Sequence, residues 1–155
     1  MQVSPVNTSL TPTELAAWRG LLRSHAALVR DLDAELHARH DLSLHEYEVL
    51  LTLAAAPDGR MRMSELATAV VLSQSGLTRL VDRLVRDGSV ARVRCEGDRR
   101  GQNAELTDAG RRRYGEARIT HLADVRSRFL SHFNEAELEI LGAFWERISP
   151  GATAE

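Results

Sequence analysis

Residues 72–110, LSQSGLTRLVDRLVRDGSVARVRCEGDRRGQNAELTDAG, carry the pattern from which the fold is predicted. Its first part has a serine suited to an N-cap, Ser73, then apolar residues at helical spacing and a terminating glycine, Gly88, so it predicts a helix. Its second part has two short strand-like runs, 90–94 and 102–106, on either side of the tip EGDRRG. Because a tip of charge and glycine cannot lie in a core, we predict a hairpin that projects into water or onto a partner.

The segment just before this stretch completes a motif. MSELATAVV, residues 63–71, predicts a short helix, so the order is helix, turn, helix and hairpin. This is the pattern of a winged helix-turn-helix, whose second helix enters the major groove with its N-terminal residues on base edges. Gln makes forked contacts to adenine and Arg to guanine, whereas Ser and Thr hydrogen-bond to bases or phosphates. The candidate DNA contacts are Gln74, Ser75, Gly76 (which keeps the helix slim), Thr78 and Arg79, with Arg83 further along for phosphate. The alternative interpretation is a surface helix with solvated charges.

The charge of the chain is unevenly distributed. The net charge is −2, but residues 74–113 hold ten arginines and six acidic residues, which gives +4 there and −6 elsewhere. All 20 basic residues are arginine, and arginine can make forked contacts to phosphate or guanine where lysine acts as a point charge. A basic middle in an acidic body is an electrostatic footprint for a polyanion such as DNA.

Long helices flank the motif. Thr11, Pro12 and Glu14 predict a capped helix start. The helix that follows carries an alternating three- and four-residue apolar spacing typical of helix-to-helix packing between chains. A helix of about 28 residues exceeds the usual ~10–14, so we expect it to pack against a second copy of the chain. The stripe consists of Leu15, Trp18, Leu22, His25, Val29, Leu32 and Leu36.

These patterns predict a mainly α fold with a small two- to three-stranded β-wing and long N- and C-terminal dimerisation helices. Further helix caps are predicted at Ser43, Thr107 and Asn134. The expected organisation is a disordered lead at 1–10, dimerisation helices at 11–42 and 116–149, a winged helix-turn-helix at 43–115 and a tail at 150–155.

The chain resembles the MarR family of bacterial transcriptional regulators, through SELA at 64–67, the helix at 72–90 and DRRGQNAELTDAG at 98–110. The resemblance implies a homodimer that binds a pseudo-palindromic double-stranded operator, usually as a repressor released by a small molecule. It also implies that Asp98 braces the wing and that Arg100 enters the minor groove. Arg99 is expected on phosphate, and Ser64 joins the DNA contacts.

The resemblance further implies an effector crevice between the dimerisation helices and the DNA-binding domain. His25 interrupts the apolar stripe of the first helix, and Trp18 lies on the same face. A mostly apolar pocket with a few polar groups suits an aromatic or phenolic acid. The candidate ligand contacts are Trp18, Arg19, Leu22, Arg23 and His25, and the alternative for His25 is a hydrogen-bonded core histidine.

Other functions are predicted less directly. His37, His40, Asp41 and His45 suggest a metal-responsive alternative, and Cys95 a redox-responsive one. A winged module that binds proteins, or DNA without sequence preference, is a further alternative. No catalytic motif occurs, so neither an enzyme nor a cofactor is predicted. One cysteine, no long apolar run and no secretory leader predict a cytoplasmic protein without a membrane partner.

Overall fold

The computed structural model describes residues 9–94 and 101–151. This part of the chain contains six α-helices and three strands, joined by two short 3-10 turns at 57–59 and 130–132. The helices are α1 (Pro12–His40), α2 (Leu44–Ala55), α3 (Met63–Ala69), α4 (Gln74–Arg86), α5 (Asp108–Arg128) and α6 (Glu135–Ile148). The strands are β1 (Arg60–Arg62), β2 (Val90–Arg94) and β3 (Gln102–Leu106).

Five of the six helices in the described ranges begin directly after a predicted capping residue, and α3 begins without a side-chain cap. Each capping side chain accepts a hydrogen bond from the backbone N–H three residues later, which satisfies one of the N–H groups that a helix start leaves unpaired. The confirmed caps are Thr11, Ser43, Ser73, Thr107 and Asn134. Gly88 likewise has the left-handed backbone expected of a helix terminator, with φ +80°.

The prediction that α3 runs to Val71 was wrong at its last residues. The helix ends at Ala69, and Val71 turns the chain with a φ of +53°. A β-branched side chain is disfavoured in this left-handed region, so the sequence Ala-Val-Val does not predict a turn. The turn is nevertheless formed, and it separates α3 from α4.

The sheet is antiparallel with the strand order β1-β3-β2. The hairpin pairs β2 and β3 in register from Val90 opposite Leu106 to Arg94 opposite Gln102. The short strand β1 adds to the other edge of β3, where Nη2 of Arg60 lies 2.6 Å from a carboxylate oxygen of its opposite residue, Glu105. The wing therefore has three strands, the upper end of the predicted range.

The core lies within the winged unit and beneath the end of α1. α2 contributes most to it, and α4, β2, β3 and α5 close around it. The fully buried large apolar side chains are Leu36, Leu42, Leu50, Leu53, Leu66, Leu77, Leu84, Val49, Val81 and Val90. The helix α5 starts at Asp108 and packs on both α1 and α2, so the predicted domain boundary after residue 115 falls inside a continuous helix.

The long helices keep much of their apolar surface uncovered. The stripe of α1 is buried at Leu36, but Trp18 is 53% exposed and Leu22 48%. No residue of α6 is buried, and Ile148 at its end is 70% exposed. None of the helices in the described ranges combines the length and apolar character needed to cross a bilayer.

Candidate nucleic-acid interface

The helix α4 has one buried and one exposed face. Leu77, Val81 and Leu84 point into the core and anchor the helix to the winged unit. The opposite face carries Gln74, Ser75, Thr78, Arg79, Asp82 and Arg86, all exposed. Five of the predicted DNA contacts thus lie at the N-terminal part of α4, four of them exposed and Gly76 half-buried.

The start of α4 is held in place by short polar contacts. The Ser73 hydroxyl accepts a hydrogen bond of 3.1 Å from the Gly76 N–H, and it lies 3.3 Å from the hydroxyl of Ser75. The Thr78 hydroxyl donates to the Gln74 carbonyl over 2.8 Å. A Cβ at position 76 would stand 3.1 Å from the Ser73 oxygen, so glycine here also makes room for the cap.

The arginines of α4 differ in what they touch. Arg79 and Arg86 make no ion pair with any residue in the described ranges, so both guanidinium groups are available to a partner. Arg83 is instead turned towards the chain itself. Its guanidinium lies 3.2 Å from Oδ1 of Asp41 and 3.1 Å from Oε1 of Glu46. The predicted phosphate contact at Arg83 therefore competes with intramolecular partners.

The hairpin is tied to α4 by a contact that sequence reasoning missed. Arg92 on β2 donates to the Asp82 carboxylate of α4 over 2.7 Å and to the side-chain carbonyl of Gln102 on β3 over 2.8 Å. This bridge sets the wing against the helix. No sequence pattern indicates this bridge, because Asp82 and Arg92 lie on different elements.

The predicted wing-tip contacts lie outside the described residues. These are Asp98, Arg99 and Arg100, together with the possible redox residue Cys95. Their roles remain predictions. Ser64, the remaining candidate, is exposed in the first turn of α3, where its carbonyl accepts a hydrogen bond of 3.2 Å from the Thr68 hydroxyl.

A groove of about 880 Å³ runs between the N-terminal half of α1 and α6. Of the five predicted ligand contacts it includes Trp18 and His25, whereas Arg19, Leu22 and Arg23 do not line it. Aromatic and aliphatic side chains form its other wall. These are Phe129, Phe133, Leu141, Phe144, Trp145 and Ile148. The apolar stripe of α6 was visible in the sequence, but its position opposite Trp18 was not.

A second polar cluster, which sequence reasoning missed, lies between α2 and α5. The Tyr47 ring packs 4.5 Å from the His121 ring and 5.7 Å from that of Tyr114. Burial raises the pKa of Tyr47 to about 12, with Tyr114 adding to the shift. Burial also lowers the pKa of His121, although Asp124 acts in the opposite direction. His121 Nδ1 is buried without a hydrogen-bond partner among the described residues.

The histidines considered for metal binding do not converge. His40 Nε2 lies 2.8 Å from the Thr120 hydroxyl, and His37 lies 3.8 Å from the Asp41 carboxylate. Within 9–94 and 101–151, no three His, Cys, Asp or Glu side chains are close enough together to hold a metal ion. The metal-responsive alternative therefore gains no support from the geometry of His37, His40 and His45.

Comparison with known proteins agrees with this architecture. Residues 40–101 match the model of the MarR family. The chain is 33% identical over 130 residues to the HTH-type transcriptional regulator PecS of Dickeya dadantii, covering 83% of this chain and 76% of that protein. The MarR family regulator AbsC of Streptomyces coelicolor is 33% identical in sequence, and its crystal structure superposes with a TM-score of 0.88 over 96% of this chain and 100% of AbsC.

A third relative was crystallised with DNA. The MarR family regulator Sco3205 of Streptomyces coelicolor, in complex with DNA, has a TM-score of 0.89 and 29% identity, over 97% of this chain and 94% of that one. The matches extend across the winged unit and the long helices alike. The resemblance first seen in three short motifs is thereby confirmed, and the relatives that the chain matches are transcriptional regulators. The chain belongs to the MarR family of helix-turn-helix transcriptional regulators.

Proposed function

We propose that this regulator is a homodimeric repressor that binds a pseudo-palindromic double-stranded operator and releases it on binding a small aromatic or phenolic acid. One observation carries the DNA part of the proposal. The outward face of α4 presents Gln74, Ser75, Thr78 and Arg79, and Arg79 has no ion pair within the described residues. These side chains match the donors and acceptors that base edges offer in the major groove.

The wing supports the same orientation. The bridge from Arg92 to Asp82 holds the β2–β3 hairpin beside α4. Arg100 in a narrow minor groove would be favoured by the negative potential there. Asp98 would brace that loop, and Arg99 would contact phosphate.

The uncovered long helices support a homodimer. Trp18 on α1 and Ile148 on α6 are more than half exposed, and α6 has no buried residue in this chain. Burial of apolar surface contributes roughly 25 cal/mol per Å², so a second copy that packs against the exposed apolar side chains of these helices gains substantial free energy. A two-fold dimer also places its two α4 helices about 34 Å apart, one turn of DNA.

The effector part of the proposal concerns the groove between α1 and α6, which lies among the dimerisation helices and not, as the resemblance implied, between them and the DNA-binding domain. Its wall is mostly apolar, and Trp18 and His25 supply a ring and a polar group on one side. An aromatic acid held there would touch α1, the helix whose end adjoins the winged unit. Binding that favours a different spacing of the two winged units would weaken operator binding, as repressor release requires.

The test of DNA recognition compares substitutions at two exposed arginines. Arg79→Ala should lower operator affinity by about 1–3 kcal/mol and relax specificity at particular bases. Arg126→Ala, an exposed arginine near the far end of α5, is the matched control and should leave affinity unchanged. Gel shifts or fluorescence anisotropy with operator and scrambled duplexes measure both. Equal behaviour of the two variants would refute the proposed docking of α4.

Oligomeric state and effector are tested separately. Ile148→Glu should shift the protein towards monomer in sedimentation equilibrium, whereas Leu51→Glu on the exposed side of α2 should not. A panel of aromatic acids, salicylate included, should weaken operator binding and raise the melting temperature, and Trp18→Ala should remove both effects. A panel that changes neither quantity in the wild-type protein would contradict the effector proposal.

A further inference from the structure

A buried carboxylate lies where α1 passes into α2. Glu46 is 1% exposed, and its Oε2 accepts hydrogen bonds from the Ser43 N–H over 2.8 Å and the Ser43 hydroxyl over 2.9 Å. The other oxygen, Oε1, accepts no hydrogen bond from the described residues and lies 3.1 Å from Nε of Arg83. Arg83 is thus the charge partner of a carboxylate that water does not reach, and an unpaired buried charge is strongly unfavourable.

The same guanidinium holds the end of α1. Nη2 of Arg83 lies 3.2 Å from both Oδ1 and the carbonyl oxygen of Asp41. Asp41 caps α1 in the left-handed conformation, with φ +51°. The carbonyl groups that end a helix carry partial negative charge, which favours a nearby cation. The fork of Arg83 therefore joins the last turn of α4 to the corner between α1 and α2.

A second arginine closes the arrangement from α5. Nη2 of Arg113 donates to the carbonyl oxygens of His40 and Asp41 over 3.1 and 2.9 Å, and its Nη1 bonds to the carboxylate of Asp87, the residue that caps α4. Burial alone would raise the pKa of Asp87, but hydrogen bonds from Ser89 and Arg113 lower it, so the carboxylate is charged at neutral pH. We call Asp41, Glu46, Arg83, Asp87 and Arg113 the corner cluster.

We infer that Arg83 is a positioning residue, which sets the angle of α4 on the α1–α2 corner through Glu46 and Asp41 and does not act as a phosphate contact. The inference rests on the proposed docking of α4 in DNA. From its position in the sequence, Arg83 was predicted to contact phosphate, since it shares its helix with Arg79 and Arg86. Those two arginines have no ion pair in the described part of the chain, whereas Arg83 has two.

The physical consequence is a link between a buried residue and DNA affinity. The N-terminal residues of α4 must meet base edges within a few tenths of an ångström, because hydrogen bonds weaken steeply with distance and angle. The corner cluster fixes the C-terminal end of that helix, so a loosened corner tilts the N-terminal end. Glu46 cannot touch DNA, yet its replacement should lower operator affinity.

The experiment compares Arg83→Lys, Glu46→Gln and Arg83→Gln, each in the full chain. Lysine keeps the charge but lacks the planar fork whose Nε and Nη2 reach Glu46 and Asp41 separately, so Arg83→Lys should lose operator affinity at least tenfold. Glu46→Gln keeps an oxygen for the Ser43 cap and should lose affinity by a similar factor. The double variant of Glu46→Gln and Arg83→Gln should bind no more weakly than Arg83→Gln alone, because the contact between Glu46 and Arg83 is already lost in Arg83→Gln.

Salt dependence separates positioning from phosphate contact. Loss of a phosphate contact reduces the slope of log affinity against log salt by about one unit. The slope should stay at the wild-type value for all three corner variants. Arg86→Gln and Arg86→Lys are the matched controls, since Arg86 lies on the same last turn of α4 without an ion pair among the described residues.

The possible outcomes are distinct. Affinities are compared for variants whose circular dichroism and dimer content match the wild type, and Glu46→Gln decides if the Arg83 variants do not fold. Wild-type affinity for both Glu46→Gln and Arg83→Lys, with a reduced salt slope for Arg83→Gln, overturns the inference. If Arg79→Ala still weakens binding in that case, the proposed function stands. If Arg79→Ala also binds normally, the docking of α4 fails and the inference fails with it.

Discussion

Gly110 on α5 is the position where the fold leaves no room for a side chain. A Cβ built there would lie 1.9 Å from the Ser89 carbonyl oxygen and 2.9 Å from Cδ1 of Leu106. The Ser89 oxygen that the Cβ approaches belongs to the backbone, so no rotamer change of Ser89 relieves the clash. The start of α5 is held on the same carbonyl, because Thr107 bonds to Ser89 O through its N–H and its hydroxyl, each over 3.1 Å.

Gly110→Ala should therefore destabilise the protein strongly. Overpacking costs about 1–3 kcal/mol, and a shift of α5 that relieves it weakens two hydrogen bonds worth about 1 kcal/mol each, so we expect a loss of roughly 3 kcal/mol or more. For a chain of this size that corresponds to a fall in melting temperature of roughly 6–12 °C.

The matched control lies one and a half turns further along α5. A Cβ at Gly115 meets no atom within 4 Å, so Gly115→Ala should stabilise the helix by up to about 1 kcal/mol. Thermal denaturation followed by circular dichroism, at one fixed protein concentration, measures both variants. A Gly110→Ala protein that melts within 1 °C of the wild type would refute the packing argument, as would a shift of both variants in the same direction.

Three further changes test local features. Ser73→Ala removes the cap of α4 and should cost about 1 kcal/mol in urea unfolding and weaken operator binding; an unchanged midpoint would contradict this. Val71 is 88% exposed with φ +53°, a left-handed conformation that asparagine adopts more easily than valine. Val71→Asn should therefore raise the free energy of unfolding by about 1 kcal/mol in the same assay, and an unchanged value would show that the strain is absent. Burial lowers the pKa of His121 below that of the unfolded chain, so stability should be full above about pH 6.5 and fall below it, by at most about 1.4 kcal/mol per pH unit. His121→Phe should flatten that dependence, and an unaltered pH profile would exclude His121 as its source.

The local elements could be predicted well from sequence because their signals are local. Ser43 and Asn134 stand directly before helical runs, each with a glutamate three residues later, and both capping boxes form. The strands 90–94 and 102–106 have the predicted bounds. The strand β1 could not be located, since Arg-Met-Arg has no strand pattern of its own and pairs only because β3 offers an open edge.

The parts of the candidate site that escaped prediction depend on contacts between distant residues. Arg83 is 37 residues from Glu46 and 42 from Asp41, so nothing in its own helix distinguishes it from Arg86. The residues that face Trp18 across the groove likewise come from 129–148, at the opposite end of the chain. Charge pattern places an arginine on a helix, but only the tertiary fold decides whether its guanidinium faces a carboxylate or DNA.

The central claim is that α4 reads base edges, and one binding measurement tests it most directly. A site is selected from random duplexes with the wild-type protein, and affinities for it and for a scrambled duplex are measured between 50 and 200 mM salt. We expect a pseudo-palindromic site that binds at least about 10³-fold more tightly than the scrambled duplex, and an Arg79→Ala protein that loses discrimination at one base pair in each half-site. Equal affinity for the two duplexes, or unchanged base preference in Arg79→Ala, would contradict it.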